Sequence, residues 1–320
     1  MRGQLSIIAG RSNPKFAKEV AKKCGVELTR CEIKTYSDGE INVEICENVR
    51  GADVFVIQST CTPGNDHLME LLIVMDALRR ASASRITAVL PYFGYCRQDR
   101  KTQPRVPITA KLVADLIVTA GADRVLTMDL HAGQVMGFFN VPVDNLYARP
   151  VLLDYFEAHF KSGEVTIVSP DAGGVARARA YAKRIDAGLA IIDKRRTGPN
   201  EVGEMKVVGD VEGCRCIIVD DIADTGGTLV KAAEALYENG ATDVIACCTH
   251  AVLSGEAQKR LVNSRLSKII FSDTIYHPWV ENLSSVEKEK IVCLSVASLF
   301  GESITRIHNE DSVSTLFGDD

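Results

Sequence analysis

The 320-residue chain has no run of 18 or more apolar residues, so no membrane-spanning helix is expected. Its ten cysteines include no C-x-x-C pair, which speaks against a zinc cage or a thioredoxin-like dithiol. It has no Walker A loop of the form G-x-x-x-x-G-K-S/T. It has no low-complexity segment and no excess of basic residues. The net charge of −5 disfavours a surface for nucleic acid, while local basic clusters remain available to small anions. The opening MRGQLSIIAGRSNP is too short in apolar character, and too soon broken by a turn, for a signal peptide. What is present is an ordinary globular balance, 46% hydrophobic and 25% charged. Cys216, Cys247, Cys248 and Cys293 stand in apolar runs, where the thiol is expected to be a small buried hydrophobe, and the expectation is a reduced, cytoplasmic protein.

Short β-branched runs alternate with helical patterns along the chain. LSIIAG, DVFVIQST, SRITAVLPYF and DRVLTMDLH mark strands in the first half, and INVEI, with its period of two, reads as a hairpin partner. EVTIVSPDAGG, AGLAIIDKRR, EMKVVGD (a short edge strand), CRCIIVDDIAD, ATDVIACCTH, SKIIFSDT and KIVCLSV mark the second half. Alternation of this kind implies an α/β fold: two similar domains, each a mostly parallel sheet flanked by helices, with right-handed crossovers. The expected division is 1–148 and 149–320, with the last helix packing back on the first domain. In such sheets ligands collect beyond the carboxyl ends of strands, where the polar motifs of this chain sit.

The most informative stretch is VDDIADTGGTL, residues 219–229. Gly226 and Gly227 permit positive φ and close backbone approach, so successive N–H groups can form an anion nest at a helix start near Leu229. Thr225 and Thr228 add hydroxyl donors and are candidate caps. Yet Asp220, Asp221 and Asp224 stand directly before the glycines. Ionised carboxylates are acceptors only, so they suit sugar hydroxyls rather than a phosphate. A ligand with an anion at one end and hydroxyls in the middle, a sugar phosphate, satisfies both features.

Other stretches carry weaker signals. Asp38, Gly39 and Glu40 form a turn between strands. The loop at 92–108 is basic and bounded by prolines, with Arg97, Arg100, Lys101 and Arg105 against one acid, Asp99; it suits either a plain surface loop or a lid over a polyphosphate. Gln98 within it can read an adenine or ribose edge. His131 and Asp171 fall at strand ends, where either a structural role or a place at a Mg2+ site is open. Lys194 and Arg196, two apart, point to one side of an extended segment, either as a solvated strand end or as a charge clamp on a transferring phosphoryl group.

As a set, YSDGE, NDHLMELL, PYFGYCRQDR, VPITAKLVA, DLHAGQ, GFF, VPVDNLY, SPDAGG, DKRR and VDDIADTGGT closely resemble, in order, the phosphate-activated ribose-phosphate pyrophosphokinases, or phosphoribosyl-pyrophosphate synthetases. The resemblance runs from SIIAG to NEDSVSTLF. It implies transfer of the diphosphoryl group of ATP to the C1 hydroxyl of ribose 5-phosphate. It further implies ATP contacts at Tyr36, Asp38, Gly39, Glu40, Arg97, Gln98 and Asp99, with Tyr36 replacing a stacking Phe. Ribose 5-phosphate would meet Arg196, Asp220, Asp221, Asp224, Thr225, Gly226, Gly227 and Thr228; Mg2+ would meet His131 and Asp171; and Lys194 and Arg196 would be catalytic. A regulatory anion site for inorganic phosphate or ADP would draw on Arg50, Ser82, Ser84, Arg105, Ser312 and Ser314, and a homohexamer would be the assembly.

Besides Tyr36, the chain departs from the family pattern in three places. Asn140 replaces an acid after GFF, Cys96 replaces a small Ala and adds an oxidisable thiol to the loop, and segment 276–290 carries no known motif. A phosphoribosyltransferase would share VDDIADTGGT but lack the RQDRK lid and the SPDAGG–DKRR pair. A catalytically silent partner of the synthetase would carry an interrupted lid, and here the lid is uninterrupted.

Overall fold

The β-branched runs become two parallel sheets in the computed structural model, which describes residues 3–160, 165–194 and 205–316. The chain divides into two compact units. The first takes the residues up to Tyr147, together with Asp273–Tyr276 and the described residues from Val296 onward. The second takes Ala148–Ser272 and His277–Ser295.

The first unit runs β1 (Leu5–Ala9), α1 (Pro14–Lys23), β2 (Cys31–Thr35), β3 (Ile41–Ile45), β4 (Asp53–Ile57), α2 (Gly64–Arg80), β5 (Arg85–Leu90), α3 (Thr109–Ala120), β6 (Arg124–Met128), a 3-10 helix over Gly133–Phe138, and β7 (Val143–Leu146). Its five-stranded sheet has the order β1-β4-β5-β6-β7, with every neighbouring pair parallel. Parallel strands covered on both faces read as unbroken apolar runs, and every residue of DVFVI in β4 is buried. β2 and β3 pair apart from this sheet as an antiparallel hairpin, with Thr35 opposite Ile41.

The second unit runs α4 (Arg149–His159), β8 (Val165–Ser169), α5 (Val175–Arg184), β9 (Gly188–Lys194), β10 (Met205–Val208), β11 (Arg215–Ala223), α6 (Gly227–Glu238), β12 (Asp243–Ala251), α7 (Ala257–Val262), β13 (Lys268–Ser272), α8 (Pro278–Glu281), α9 (Ser285–Lys290) and β14 (Ile291–Leu294). Its seven-stranded sheet has the order β10-β9-β8-β11-β12-β13-β14, and only the edge pair β10–β9 is antiparallel. The chain winds from β8 toward one edge and then returns to β11 on the other side of β8. The gap between the carboxyl ends of β8 and β11 is therefore the switch point of the sheet, the usual ligand position in an open α/β sheet.

β11 carries on through Asp220 and Asp221 to Ala223, and α6 starts at Gly227, just before Leu229, so the acids ride on the strand as the CRCIIVDDIAD stretch implied. Cys216, Cys247 and Cys248 are buried as expected, but Cys293 is exposed because β14 is the other edge strand. All ten cysteines are free thiols.

The last helix, α10 (Ala297–Asn309), belongs to the first unit. Arg85 grips Asp53 through Nε at 2.7 Å and Nη2 at 2.5 Å, and Nη2 also donates to the Ile307 carbonyl at 3.1 Å. His308 Nδ1 lies 2.7 Å from the same carboxylate, whose side chain is 5% exposed. α10 also packs on α1, with Phe16 and Phe300 edge to face at 5.4 Å. Gly301 makes this approach possible, because a Cβ there would lie 2.6 Å from Lys23 Cβ and 3.3 Å from the Val20 carbonyl.

Glycine inside a helix normally costs about 1 kcal/mol against alanine, so Gly301→Ala would stabilise an isolated α10. The blocked Cβ reverses that sign. We expect Gly301→Ala to destabilise the first unit by about 1–3 kcal/mol, the usual cost of overpacking, seen as a fall of several degrees in the thermal midpoint. An unchanged or raised midpoint would show that α1 and α10 separate freely.

Candidate active site

The second unit holds three adjacent strand ends that carry the expected substrate residues. At the end of β11, Gly226 takes φ +71° and ψ −9°, a left-handed conformation open to glycine. A Cβ on Gly226 would stand 2.9 Å from Leu261 Cγ, so packing as well as backbone geometry requires glycine there. Gly226 is itself the N-cap of α6, and no side chain caps the helix; Thr225 and Thr228, expected as candidate caps, do not serve as such. The first amides of a helix have no intrahelical acceptor, which leaves this turn suited to an anion. Arg260 of α7 donates from Nη1 to the Thr225 carbonyl and brings a positive charge to the same turn. The Asp224 carbonyl accepts from Ser254 N at 3.0 Å, and the Ala223 carbonyl from Leu253 N at 3.0 Å.

The acid pair lies just before this turn. Asp221 N donates to Asp220 Oδ1 at 2.9 Å. Arg177 Nη1, from the first turn of α5, lies 3.3 Å from Asp220 Oδ1 and 3.1 Å from Asp221 Oδ1. Burial and the neighbouring Asp221 push the Asp220 carboxyl up to about 8, while Arg177 pulls the other way. Arg177 and Arg260 are absent from the sequence reading. The signal for Arg177 was a cation in the first turn of a helix, where the helix dipole disfavours it unless an acid waits nearby.

At the end of β8, Asp171 Oδ1 accepts from Gly173 N at 2.9 Å and from Gly174 N at 3.1 Å, and Ser169 Oγ donates to the Asp171 carbonyl at 2.7 Å. The carboxylate is thus fixed at the start of α5 on an exposed residue. β9, on the other side of β8, ends at Lys194, of which only the strand position is described. Arg196 lies outside the described residues.

The first unit presents two further sets. The hairpin tip closes through Tyr36 N to the Glu40 carbonyl at 2.8 Å, Gly39 N to the Tyr36 carbonyl at 3.0 Å, and Glu40 N to Asp38 Oδ1 at 3.0 Å. All of residues 36–40 are exposed, and Tyr36 is 55% exposed, an aromatic face held out to solvent. The strand end beside this tip is tied down by Arg11, which bonds Thr35 Oγ1 at 2.9 Å and the buried Glu70 at 2.5 Å.

The 92–108 loop is rooted at the end of β4. Tyr92 N donates to Ser59 Oγ at 3.1 Å and Gly94 N to Thr60 Oγ1 at 2.6 Å. Cys96 is buried, so its thiol is shielded from the oxidation that its place in the loop suggested. Arg97 is exposed. The Gln98 carbonyl accepts from Ala110 N at 3.2 Å and its Oε1 accepts from Thr109 Oγ1 at 2.6 Å, so this residue closes the start of α3. Asp99 Oδ2 accepts from Gln134 Nε2 at 2.8 Å, which joins the loop to the segment after β6 that carries His131. There Asp129 holds φ +39°, an uncommon conformation for a non-glycine residue and one that clusters at functional sites.

Among the described residues no three His, Cys, Asp or Glu side chains converge as a metal cage. Mg2+ rarely asks for one, since it binds through one or two carboxylates plus water and substrate phosphates, and the oxygen donor of Asp171 fits that mode better than the nitrogen of His131.

Of the expected regulatory residues, Arg50, Ser82 and Ser84 sit on two turns joined by Gly51 N to the Ser82 carbonyl and Ser84 N to the Ala52 carbonyl, both at 2.8 Å. The Ser312 and Ser314 hydroxyls lie 2.8 Å apart on the segment after α10, held by Arg306 Nη1 to the Ser312 carbonyl at 3.0 Å. Arg105 is carried instead on the 92–108 loop.

With this geometry in hand, comparison with known proteins is direct. The N-terminal domain of ribose phosphate pyrophosphokinase matches residues 5–121, and the phosphoribosyl synthetase-associated domain matches residues 195–318. The ribose-phosphate pyrophosphokinase of Campylobacter jejuni is 55% identical over 318 residues, covering 99% of this chain and 100% of its own. That of Nitrosomonas europaea is 55% identical over 315 residues, covering 98% of each. The crystal structure of phosphoribosylpyrophosphate synthetase from Mycobacterium smegmatis superposes with a TM-score of 0.89 at 42% identity, covering 96% of this chain and 99% of that one. These strand-end clusters thus belong to a chain that is, along nearly its whole length, a member of the ribose-phosphate pyrophosphokinase family.

Proposed function

We infer that this enzyme transfers the diphosphoryl group of ATP to the C1 hydroxyl of ribose 5-phosphate, giving 5-phosphoribosyl 1-pyrophosphate and AMP. The observation that carries the reading is the juxtaposition, at one end of β11, of an anion-binding turn and a pair of acceptor carboxylates, in a chain 55% identical to ribose-phosphate pyrophosphokinases over its full length.

In this reading the 5-phosphate lies against the amides of Thr225, Gly226, Gly227 and Thr228, with Asp224 at the turn's entry and Arg260 adding charge. Asp220 and Asp221 accept from the ribose hydroxyls, which fixes the sugar and its C1 oxygen. ATP is held by the hairpin tip, Tyr36 stacking on the base and Asp38, Gly39 and Glu40 alongside, and by Arg97, Gln98 and Asp99. Attack at the β-phosphorus gathers negative charge on the oxygens between the α and β positions. Lys194, Arg196 and Arg97 neutralise that charge, so the protein works by positioning and electrostatics rather than by covalent chemistry. Asp171 and His131 are the residues that would hold Mg2+, which when bound screens the phosphate charges. The 92–108 loop excludes water from the reacting phosphate. Inorganic phosphate and ADP act as regulators through Arg50, Ser82, Ser84, Arg105, Ser312 and Ser314, in a cytoplasmic homohexamer.

The direct test is incubation with ATP, Mg2+ and ribose 5-phosphate. AMP and phosphoribosyl pyrophosphate are the expected products. ADP would make the protein a simple kinase, and no nucleotide turnover would make it a regulatory partner.

Two variant series follow from the assignments. Lys194→Ala and Arg196→Ala each remove a preorganised cation, and by analogy with lost oxyanion donors each should lower kcat by roughly 10²–10³ with the fold retained. Near-wild-type turnover in both would remove them from the catalytic set. Gly226→Ala must accommodate a Cβ 2.9 Å from Leu261 Cγ at φ +71°. It should raise the KM for ribose 5-phosphate well above wild type while the KM for ATP stays close to it, and equal effects on both would refute the phosphate assignment.

A further inference from the structure

Arg177 touches both acids of the proposed ribose site. Its Nη1 lies 3.3 Å from Asp220 Oδ1 and 3.1 Å from Asp221 Oδ1, and the three side chains are 25%, 21% and 5% exposed. Two carboxylates this close and this sheltered repel each other, and the arrangement favours one retained proton. An ionised carboxylate accepts at both oxygens and so holds sugar hydroxyls as donors, whereas a protonated carboxyl gives up one of those acceptor positions. The groups facing Asp220 are few. Asp221 follows it on β11, Arg177 reaches it from α5, and Cys248 stands opposite on β12 with its thiol kept neutral by burial. Arg177 is the cation that meets both members of the pair.

Its position argues that the contact is not incidental. Arg177 occupies the first turn of α5, where the positive end of the helix dipole opposes a cation. Asp171 pins the start of that helix through the amides of Gly173 and Gly174, which sets the height at which the guanidinium meets β11. The contact also falls at the β8–β11 switch point, since these strands are neighbours in register from Arg215↔Val165 to Ile218↔Val168.

We propose that Arg177 is a positioning residue for ribose 5-phosphate, its guanidinium bridging Asp220 and Asp221 and favouring their ionised, acceptor form toward the sugar hydroxyls. This rests on the ribose site described above and adds a residue and a regulating variable to it. The rise of Asp220 to about 8 supports the same picture: even with Arg177 present the pair gives up its last proton late, so affinity for ribose 5-phosphate climbs as pH rises toward that value. Without the guanidinium, the proton is held to still higher pH and the climb moves in the alkaline direction.

The test compares full-length wild type, Arg177→Gln and Arg177→Lys for KM of each substrate and for kcat, from slightly acid to alkaline pH. At neutral pH, Arg177→Gln should raise the KM for ribose 5-phosphate roughly ten- to a hundredfold, the size of a lost charge-assisted hydrogen bond, with the KM for ATP within about twofold of wild type. The gap to wild type should narrow at alkaline pH, where the acids ionise unaided, and Arg177→Lys should recover part of the loss because it returns the charge. A gap that is constant across pH, or an equal rise in the KM for ATP, overturns the proposal. If Arg177→Gln does not fold, the same comparison is read from Arg177→Lys. A wild type that releases no AMP refutes the family activity instead; calorimetric binding of ribose 5-phosphate to wild type and variant over the same pH range then decides the role of Arg177.

Discussion

The repulsion between Asp220 and Asp221 is the constraint around which the second unit is arranged. Two unit charges 4 Å apart interact by about 4 kcal/mol at the effective dielectric typical of a protein surface, and by more where water is scarce. A site that needs both acids ionised must answer that energy with a cation, or with a ligand that donates to both. The structure supplies Arg177 from one neighbouring strand-to-helix corner. The turn proposed to hold the 5-phosphate stands only four residues beyond Asp221, so in that reading a further negative charge is brought close by. The acids and the turn avoid cancelling each other because the acids sit on the strand while the turn begins only after Ala223.

That separation depends on support from parts of the chain with no motif of their own. His277 Nε2 donates to the Ala251 carbonyl at 2.5 Å, and burial keeps its imidazole below its ordinary pKa, hence neutral. Ala251 stands opposite Ala223 in register, and the next residues, Leu253 and Ser254, bond the carbonyls of Ala223 and Asp224. Trp279 packs beside His277 at 5.5 Å and against the core of the unit. A few residues on, Ser284 and Glu287 form a capping box that starts α9, and Lys290 bonds the carbonyls of Val262 and Ser264 beyond α7. Segment 276–290, silent as a sequence, is thus a buttress for the strand ends that carry the glycine turn.

This division explains how much the sequence disclosed. Strands such as DVFVI and CIIV, buried on both faces, announce themselves by composition, and the glycine turn announces itself because Gly226 and the acids are local in sequence. The acids at the end of β11 stay extended because the strand goes on pairing there, Asp220 with Cys248 and Ile222 with His250. Cys293 was misread because an apolar run on an edge strand looks like one in the middle of a sheet. Arg177 and Arg260 were missed because their partners lie 43 and 35 residues away, a distance at which no periodicity or spacing rule speaks. The hairpin was legible from the period of two in INVEI, but its anchorage by Arg11 and the buried Glu70 on α2 was not, being a contact between residues 59 apart.

The loop over residues 92–108 shows how a single segment can be rigid where charge must be preset and loose where it must arrive. Its root is held by the hydroxyls of Ser59 and Thr60, and Tyr92, Phe93 and Cys96 are buried. Gln98 is bound twice at the start of α3 and Asp99 once to Gln134, so Arg97 is flanked on both sides by fixed residues. From Arg100 to Arg105 every residue is exposed, and three of the six are basic. A cation on a fixed backbone costs little further ordering when substrate binds, whereas cations on an exposed stretch each cost side-chain and backbone entropy to recruit. Arg97 is therefore suited to a charge present before the reaction. In the proposed reaction Arg100, Lys101 and Arg105 would supply charge drawn in only when a polyphosphate offers enough attraction to close the loop, which would tie exclusion of water to the presence of the substrate that water would otherwise destroy.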